Sequence, residues 1–275
     1  MLNFDPQFPG RTWGVSGDLF SGPAKAPTAH AVADGAQHTQ SPIVTGTSVI
    51  GLKYKDGVML AADTLASYGN LSRFKDVRRL HATGKYTVVG ASGDMSDFQH
   101  VESRLDDWIR ESHVTFDEIP LTPAQIYSRL TNLLYARRNK FDPLWLNCLV
   151  GGVDPITKEP FLAAVDLIGV AYSADSLATG MGSQMATPLL RAAVDDRPIP
   201  PGGDRTKPWA TLEEAEAREI IEKCMKVLFY RDCKTINRFN IAKITSEGVE
   251  ISEPIQATTE WMFAEGIRGY GGQTQ

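Results

Sequence analysis

Cysteine is scarce in this chain of 275 residues, where Cys148, Cys224 and Cys233 are the whole supply. An odd number without paired spacing argues against a disulfide framework and for reduced thiols, which fits a location in the cytoplasm and nucleus. No apolar run approaches the roughly 18 residues of a membrane-spanning helix, and the N-terminus lacks a basic stretch followed by an apolar one. Charge of one sign is not in excess either. Lys and Arg number 28 against 33 Asp and Glu, mixed along the chain, so the net charge of −5 gives no footprint for nucleic acid or an anionic membrane. The histidines, His30, His38, His81, His100 and His113, lack metal-ligand spacing with Cys or carboxylates, and no metal or cofactor is expected. Apolar side chains are plentiful at 42%, enough for one large core.

The most informative stretch is residues 45–63, TGTSVIGLKYKDGVMLAAD. Ser48, Ile50 and Leu52 alternate with Val49, Gly51 and Lys53, and Asp56-Gly57 is the dipeptide that suits a type I′ hairpin. The pattern predicts two paired strands, the first starting at Thr47 and the second closing on Asp63, so that a hydroxyl and a carboxylate share one end.

Around this hairpin the chain divides by composition. Residues 1–38 are rich in Gly, Pro, Ala and Ser without a sustained period, which reads as a flexible leader or as a disordered tail with no role. Residues 86–92 read as a buried strand. Ser96 with Gln99 forms a capping box before a helix carrying Phe98, Val101, Leu105 and Trp108 to about Glu111. Thr122, Pro123 and Gln125 open a second helix with Ile126, Leu130, Leu133 and Leu134 on its apolar face. Strands return over 146–174, punctuated by Gly151-Gly152 and Asp154-Pro155. A third helix follows Gly182, with Pro188 at its start or at a kink, and 198–209 is a loop. Thr211 with Glu214 caps a fourth helix to Phe229, and strands at 239–245 and 249–252 flank a Glu247-Gly248 turn. Strands, two helices, strands, two helices, strands is the order of an α+β sandwich with helix pairs on the outer faces.

Four segments in this order and spacing resemble the β subunits of the proteasome: Gly46-Thr47 through Ala-Ala-Asp63, GASGDMSD with Gly93 and Asp97, TGMGS at 179–183, and YRDCKT at 230–235. Together they span nearly all of 39–261. The start TQSPIVTGTSV is most similar to a β-ring member regarded as lacking peptidase activity, at the seventh position. The resemblance implies the four-layer αββα sandwich of N-terminal nucleophile hydrolases, a propeptide of residues 1–38 cut between His38 and Thr39, a β-subunit domain of 39–253 and a C-terminal extension of 254–275. It also implies other proteasome α and β subunits as partners, in the same ring and in the opposite β ring.

In an active β subunit a threonine hydroxyl attacks and the same residue's free α-amine is the base. The residue in register is Thr47, and a start at Thr39 would leave eight residues ahead of it, making its nitrogen an amide. By resemblance Asp63, Asp232, Thr235 and the oxyanion glycine Gly93 are retained. Arg79 stands where active subunits carry Lys, and a guanidinium cannot shuttle a proton. Met181 stands where they carry Ser, and a thioether donates no hydrogen bond. The site is therefore expected to be silent, with Asp63, Arg79 and Asp232 as a structural ion-pair cluster and Thr47 as a strand residue. Two rivals remain: a working threonine endopeptidase cut after Gly46, and a soluble hydrolase of the same fold acting on small amides. The apolar Trp261, Met262, Phe263 and Ile267 call for a partner surface, which the resemblance makes the opposite β ring and a plainer reading makes the chain's own body.

Overall fold

The computed structural model describes residues 41–115, 120–197, 204 and 206–262. The proposed leader with its cut between His38 and Thr39, part of the 198–209 loop, and Phe263 and Ile267 lie outside the described residues.

Two antiparallel sheets carry the chain, which meets the expected α+β class. One has five strands in the order β11(Ser176–Ala178), β2(Val49–Tyr54), β3(Gly57–Asp63), β12(Phe239–Thr245), β13(Val249–Ile251). The other has eight: β10(Ala171–Ser173), β9(Pro160–Val165), β8(Leu146–Val153), β7(Thr87–Asp94), β1(Val44–Gly46), β4(Ala66–Tyr68) and β5(Leu71–Phe74) in sequence, with β6(Leu80–Ala82) beside β1 on the same edge of β7.

Period-two alternation decides which side chains go where. In β3, Met59 and Ala61 join a cluster with Leu190, Ile221 and Leu228 from the helices α4(Thr187–Asp195) and α5(Glu214–Arg231), whereas Val58, Leu60 and Ala62 meet Leu149, Leu162 and Ala164 of the other sheet. In β8, Cys148 and Val150 turn instead toward Phe98, Val101, Leu105, Ile126 and Leu130 on α1(Met95–Thr115) and α2(Pro123–Asn139). Both sheets are thus covered by helices on one face and by each other's side chains on the second. Each fully buried Leu or Ile contributes about 1.5–3 kcal/mol.

Several local expectations are corrected. The hairpin turns at Lys55-Asp56, with Tyr54 opposite Gly57, and neither turn residue has positive φ, so it is not type I′. Gly57 serves the next strand instead: a Cβ there would sit 1.9 Å from the Ile244 carbonyl oxygen. Gly151 and Gly152 lie inside β8 and punctuate nothing. Helix α1 is capped by Asp94, whose Oδ1 accepts the Ser96 and Asp97 N–H groups at 2.8 and 3.4 Å, and it runs to Thr115, beyond Glu111. A carboxylate outcompetes the Ser96 hydroxyl because the charge suits the positive end of the helix. Thr211 ends a 3₁₀ turn, Pro208–Thr211, and α5 starts after Glu213 with no side-chain cap. The Thr122 box is formed: Thr122 Oγ1 accepts the Gln125 N–H at 3.3 Å and Gln125 Oε1 accepts the Thr122 N–H at 2.9 Å. Helix three is split at Ala186 into α3(Gly182–Met185) and α4, with Pro188 in the first turn of the second piece.

Candidate functional site

Thr47 lies in neither strand. Strand β1 pairs Thr45 with Asp94 and Ser67, and Gly46 with Gly93, in the eight-stranded sheet; the chain then crosses at Thr47 and Ser48 and enters the five-stranded sheet at Val49. The expected strand position of Thr47 is therefore corrected to a crossing between sheets. The segment ahead of it is fixed in place, since Ile43 N–H also donates to Asp94 Oδ2 at 2.8 Å.

Arg79 occupies the space behind this crossing and is 1% exposed. Its Nε donates to the Asp63 carbonyl at 2.9 Å, Nη1 to the carbonyls of Thr47 at 2.7 Å and Ala91 at 3.4 Å, and Nη2 to the Ser48 carbonyl at 2.7 Å and to the Asp63 carboxylate. A guanidinium has five N–H donors in a rigid fork, and here each has an acceptor. The side chain lies so close to Gly46 that a Cβ at that residue would meet Arg79 Cδ at 2.6 Å and Nη1 at 2.7 Å. Arg79 thus welds the end of β3, the crossing and β7 into one unit.

Burial pushes the Asp63 carboxyl up, against the pull of the Arg79 charge, the Thr235 hydroxyl and the N–H groups of Ile236 and Leu65. Its second oxygen has no partner of ordinary hydrogen-bond geometry among the described residues. Burial likewise pulls Arg79 down, opposed by Asp63 and Asp232; a guanidinium stays charged in proteins regardless.

The Thr47 hydroxyl donates to Asp232 Oδ2 at 2.5 Å, and Asp232 Oδ1 accepts the Lys234 N–H at 2.9 Å at the C-terminal end of α5. Ser48 Oγ accepts the Gly182 N–H at 2.8 Å, while Thr179 Oγ1 accepts the Val49 N–H at 3.0 Å, so the 179–183 turn is stitched to the crossing. Met181 in that turn is 41% exposed. Gly93 has φ 103, and a Cβ would approach the Trp145 carbonyl oxygen to 2.3 Å, a structural demand for glycine whatever its N–H does. The structure brings together Thr47, Asp63, Arg79 and Asp232, with Thr235 beside Asp63 and Gly93 across the ladder from Gly46. Sequence reasoning missed Gly46, Ser48, Asp94 and Thr179, which act through backbone contacts; the TGTS and TGMGS segments that hold three of them were the available signal.

Chemically, the arrangement holds a hydroxyl, a carboxylate acceptor and a permanent cation, with the Thr47 nitrogen bound in the peptide after Gly46. A cut after Gly46 would turn that nitrogen into the amine that such a hydroxyl needs as its base. At the chain's far end, Trp261 packs edge-on against Tyr230 and Phe229, with ring centroids 5.1 and 6.1 Å apart. The Tyr230 hydroxyl accepts the Glu260 N–H at 2.7 Å and donates to the Glu260 carbonyl at 3.1 Å. Met262 is exposed. Among the described residues no helix is long and apolar enough to cross a membrane.

The family model described as "Proteasome subunit" matches residues 43–244. A "Probable proteasome subunit beta type-7" of Schizosaccharomyces pombe is 48% identical over 239 residues, covering 86% of this chain and 87% of that protein. "Proteasome subunit beta type-4" of Xenopus laevis is 41% identical over 234 residues, 85% and 91% of the two chains. "Proteasome subunit beta type-7" of Saccharomyces cerevisiae is 41% identical over 280 aligned positions, 99% of each.

Proposed function

The chain belongs to the proteasome subunit family, and from that membership we propose that it is a β subunit of the core particle that builds the proteolytic chamber without cutting peptides itself. Its partners are the α and β subunits around it. We read the two sheets and their helix pairs as the four-layer αββα sandwich of N-terminal nucleophile hydrolases, and the unpaired thiols fit the cytoplasm and nucleus.

One observation carries the silent-subunit reading: β1, the segment immediately ahead of Thr47, is the strand that joins β4 and β5 to β7. Cutting after Gly46 would free the Thr47 amine and at the same time sever β1 from the chain. An active subunit needs that cut; this sheet needs the strand. The fivefold bonding of Arg79 supports the same reading, because its donors are committed to carbonyls and to Asp63 and none is left for chemistry.

N-terminal sequencing and intact mass of the chain from purified particles test it. A start ahead of Val44, expected at Thr39 after loss of residues 1–38, keeps Thr47 internal and unreactive toward electrophiles aimed at N-terminal threonine. A start at Thr47 with covalent labelling overturns the reading and makes the chain a threonine endopeptidase.

The C-terminal extension is assigned to the opposite β ring through Trp261, Met262, Phe263 and Ile267. Trp261 packs on the chain's own Tyr230 and Phe229, as the plainer reading asks, and the support for the opposite ring is the apolar surface that Trp261 and Met262 still leave exposed. Deleting residues 260–275 should make half-particles accumulate on native gels, and normal particle yield would reject the assignment.

A further inference from the structure

Helix α2 ends in a way its own backbone disfavours. The Phe141 N–H donates to the Arg138 carbonyl at 3.0 Å and the Asp142 N–H to the Arg137 carbonyl at 3.1 Å, the bond pair of a Schellman end. That motif puts one residue in the left-handed region, where glycine is the usual occupant because a Cβ is costly there. Here the residue is Phe141, with φ 54. Among the described residues only one other non-glycine, Lys158, has positive φ, and its ammonium lies 5.9 Å from the Tyr86 ring centroid, so that side chain is used within the chain. Phe141 has no ring contact among the described residues and is 90% exposed, the most exposed of their large apolar side chains. Strain and solvent exposure both oppose phenylalanine at this position, and glycine would relieve both.

The platform under the ring is rigid. Arg137 Nη2 pairs with the Asp142 carboxylate at 2.8 Å and its Nε donates to the Asp142 carbonyl at 2.9 Å, while the Trp145 N–H is held by Asp97 Oδ2 at 2.7 Å. An exposed aromatic presented from a fixed backbone is a usual anchor of a protein interface. Arg138 and Lys140 beside it are exposed and form no ion pair among the described residues. The helix dipole favours cations in this last turn, but it gives no reason for the ring.

We propose that Phe141 is the anchor of an intersubunit contact, seated in an apolar pocket with a carboxylate rim on another proteasome subunit, with Arg138 and Lys140 facing that rim. This rests on the family reading above. The test compares full-length wild type, Phe141→Gly and the double variant Arg138→Glu/Lys140→Glu. Melting of the free chain and competitive incorporation into core particles are measured by native gel and mass spectrometry. Phe141→Gly should raise the melting temperature by about 2–4 °C and lower incorporation roughly tenfold or more, a split in sign that a packing residue would not give. The charge reversal should lower incorporation less and leave melting unchanged. Wild-type incorporation of Phe141→Gly, or a lowered melting temperature for it, overturns this proposal alone. Absence of the wild-type chain from the particle overturns the family-based reading, and this one with it.

Discussion

The five-stranded sheet is built around β2, β3 and β12, six or seven residues long and paired along their whole length, whereas the eight-stranded sheet hangs its β4–β5 end on β1, a strand of three residues. A long alternating strand commits itself locally, because every second side chain has a core to enter. A three-residue strand has almost no pattern of its own. Its place is decided by what surrounds it, here Asp94 holding Ile43 on one side and Arg79 pressed on Gly46 on the other. The difference locates the site around Thr47: it sits where the weakly self-determined β1–β4–β5 end of the eight-stranded sheet is riveted to the five-stranded one.

Breaking the rivet should have the largest effect. Arg79→Ala leaves a buried carboxylate and four carbonyls without their donors, and a cost of about 3–5 kcal/mol is expected for uncovering one partner of a buried pair. The denaturant midpoint should fall accordingly, with amide exchange rising first in β1 and β4. Arg79→Lys supplies three donors where five are used, so it should lose stability too and gain no peptidase activity; activity from this variant would contradict the commitment of the site to structure. If Arg79→Ala were near neutral, the eight-stranded sheet would be self-sufficient and the contrast would vanish.

Leu60→Ala probes the long-strand side. Leu60 is fully buried between the sheets, and its truncation should cost about 2–5 kcal/mol, with exchange rising over both sheets together. A local response would show that the two sheets open independently. Thr122→Ala removes the cap of α2, which lies on the eight-stranded sheet away from the rivet, and should cost about 1 kcal/mol. It should leave β1 exchange unchanged.

The smallest effect concerns pH. Asp154, in the turn between β8 and β9, is held below its ordinary carboxyl range chiefly by the Thr157 N–H, with Ile156 N–H, the Thr157 hydroxyl and Lys158 helping against slight desolvation. A depressed folded value means its contribution is present above the unfolded value near about 3.9 and is lost as pH falls through the folded one. The acid limb of the stability curve should therefore shrink slightly in Asp154→Asn, read as a change in slope below about pH 4; an unchanged slope would remove Asp154 from the acid response.

Legibility followed the same divide. Alternation made β2 readable, unbroken apolar runs made β3 and β7 readable, and 3.6-residue periodicity with the Thr122-Pro123-Gln125 signal made α1, α2 and α5 readable. Strands β4, β5 and β6 were not, because three or four residues carry too little period to rise above loop. Caps were misassigned at Ser96, where Asp94 takes the free N–H groups, and at Thr211, where no side chain does, because only the folded backbone decides which nearby hydroxyl or carboxylate, if any, reaches them. At the site, the family's motif positions were legible as residues. Their arrangement was not, since the five acceptors of Arg79 are mostly backbone carbonyls that no side-chain pattern records.

By itself the sequence determined the element order, the apolar faces and the likeness to proteasome β subunits, because periodicity and motif spacing are properties of neighbours along the chain. The tertiary structure alone decided that Thr47 is a crossing between sheets, that β1 is needed for the ladder and that Arg79 is saturated. Those facts depend on groups up to 185 residues apart meeting in space, as Thr47 and Asp232 do, and on burial that makes every unmet donor or carbonyl there costly.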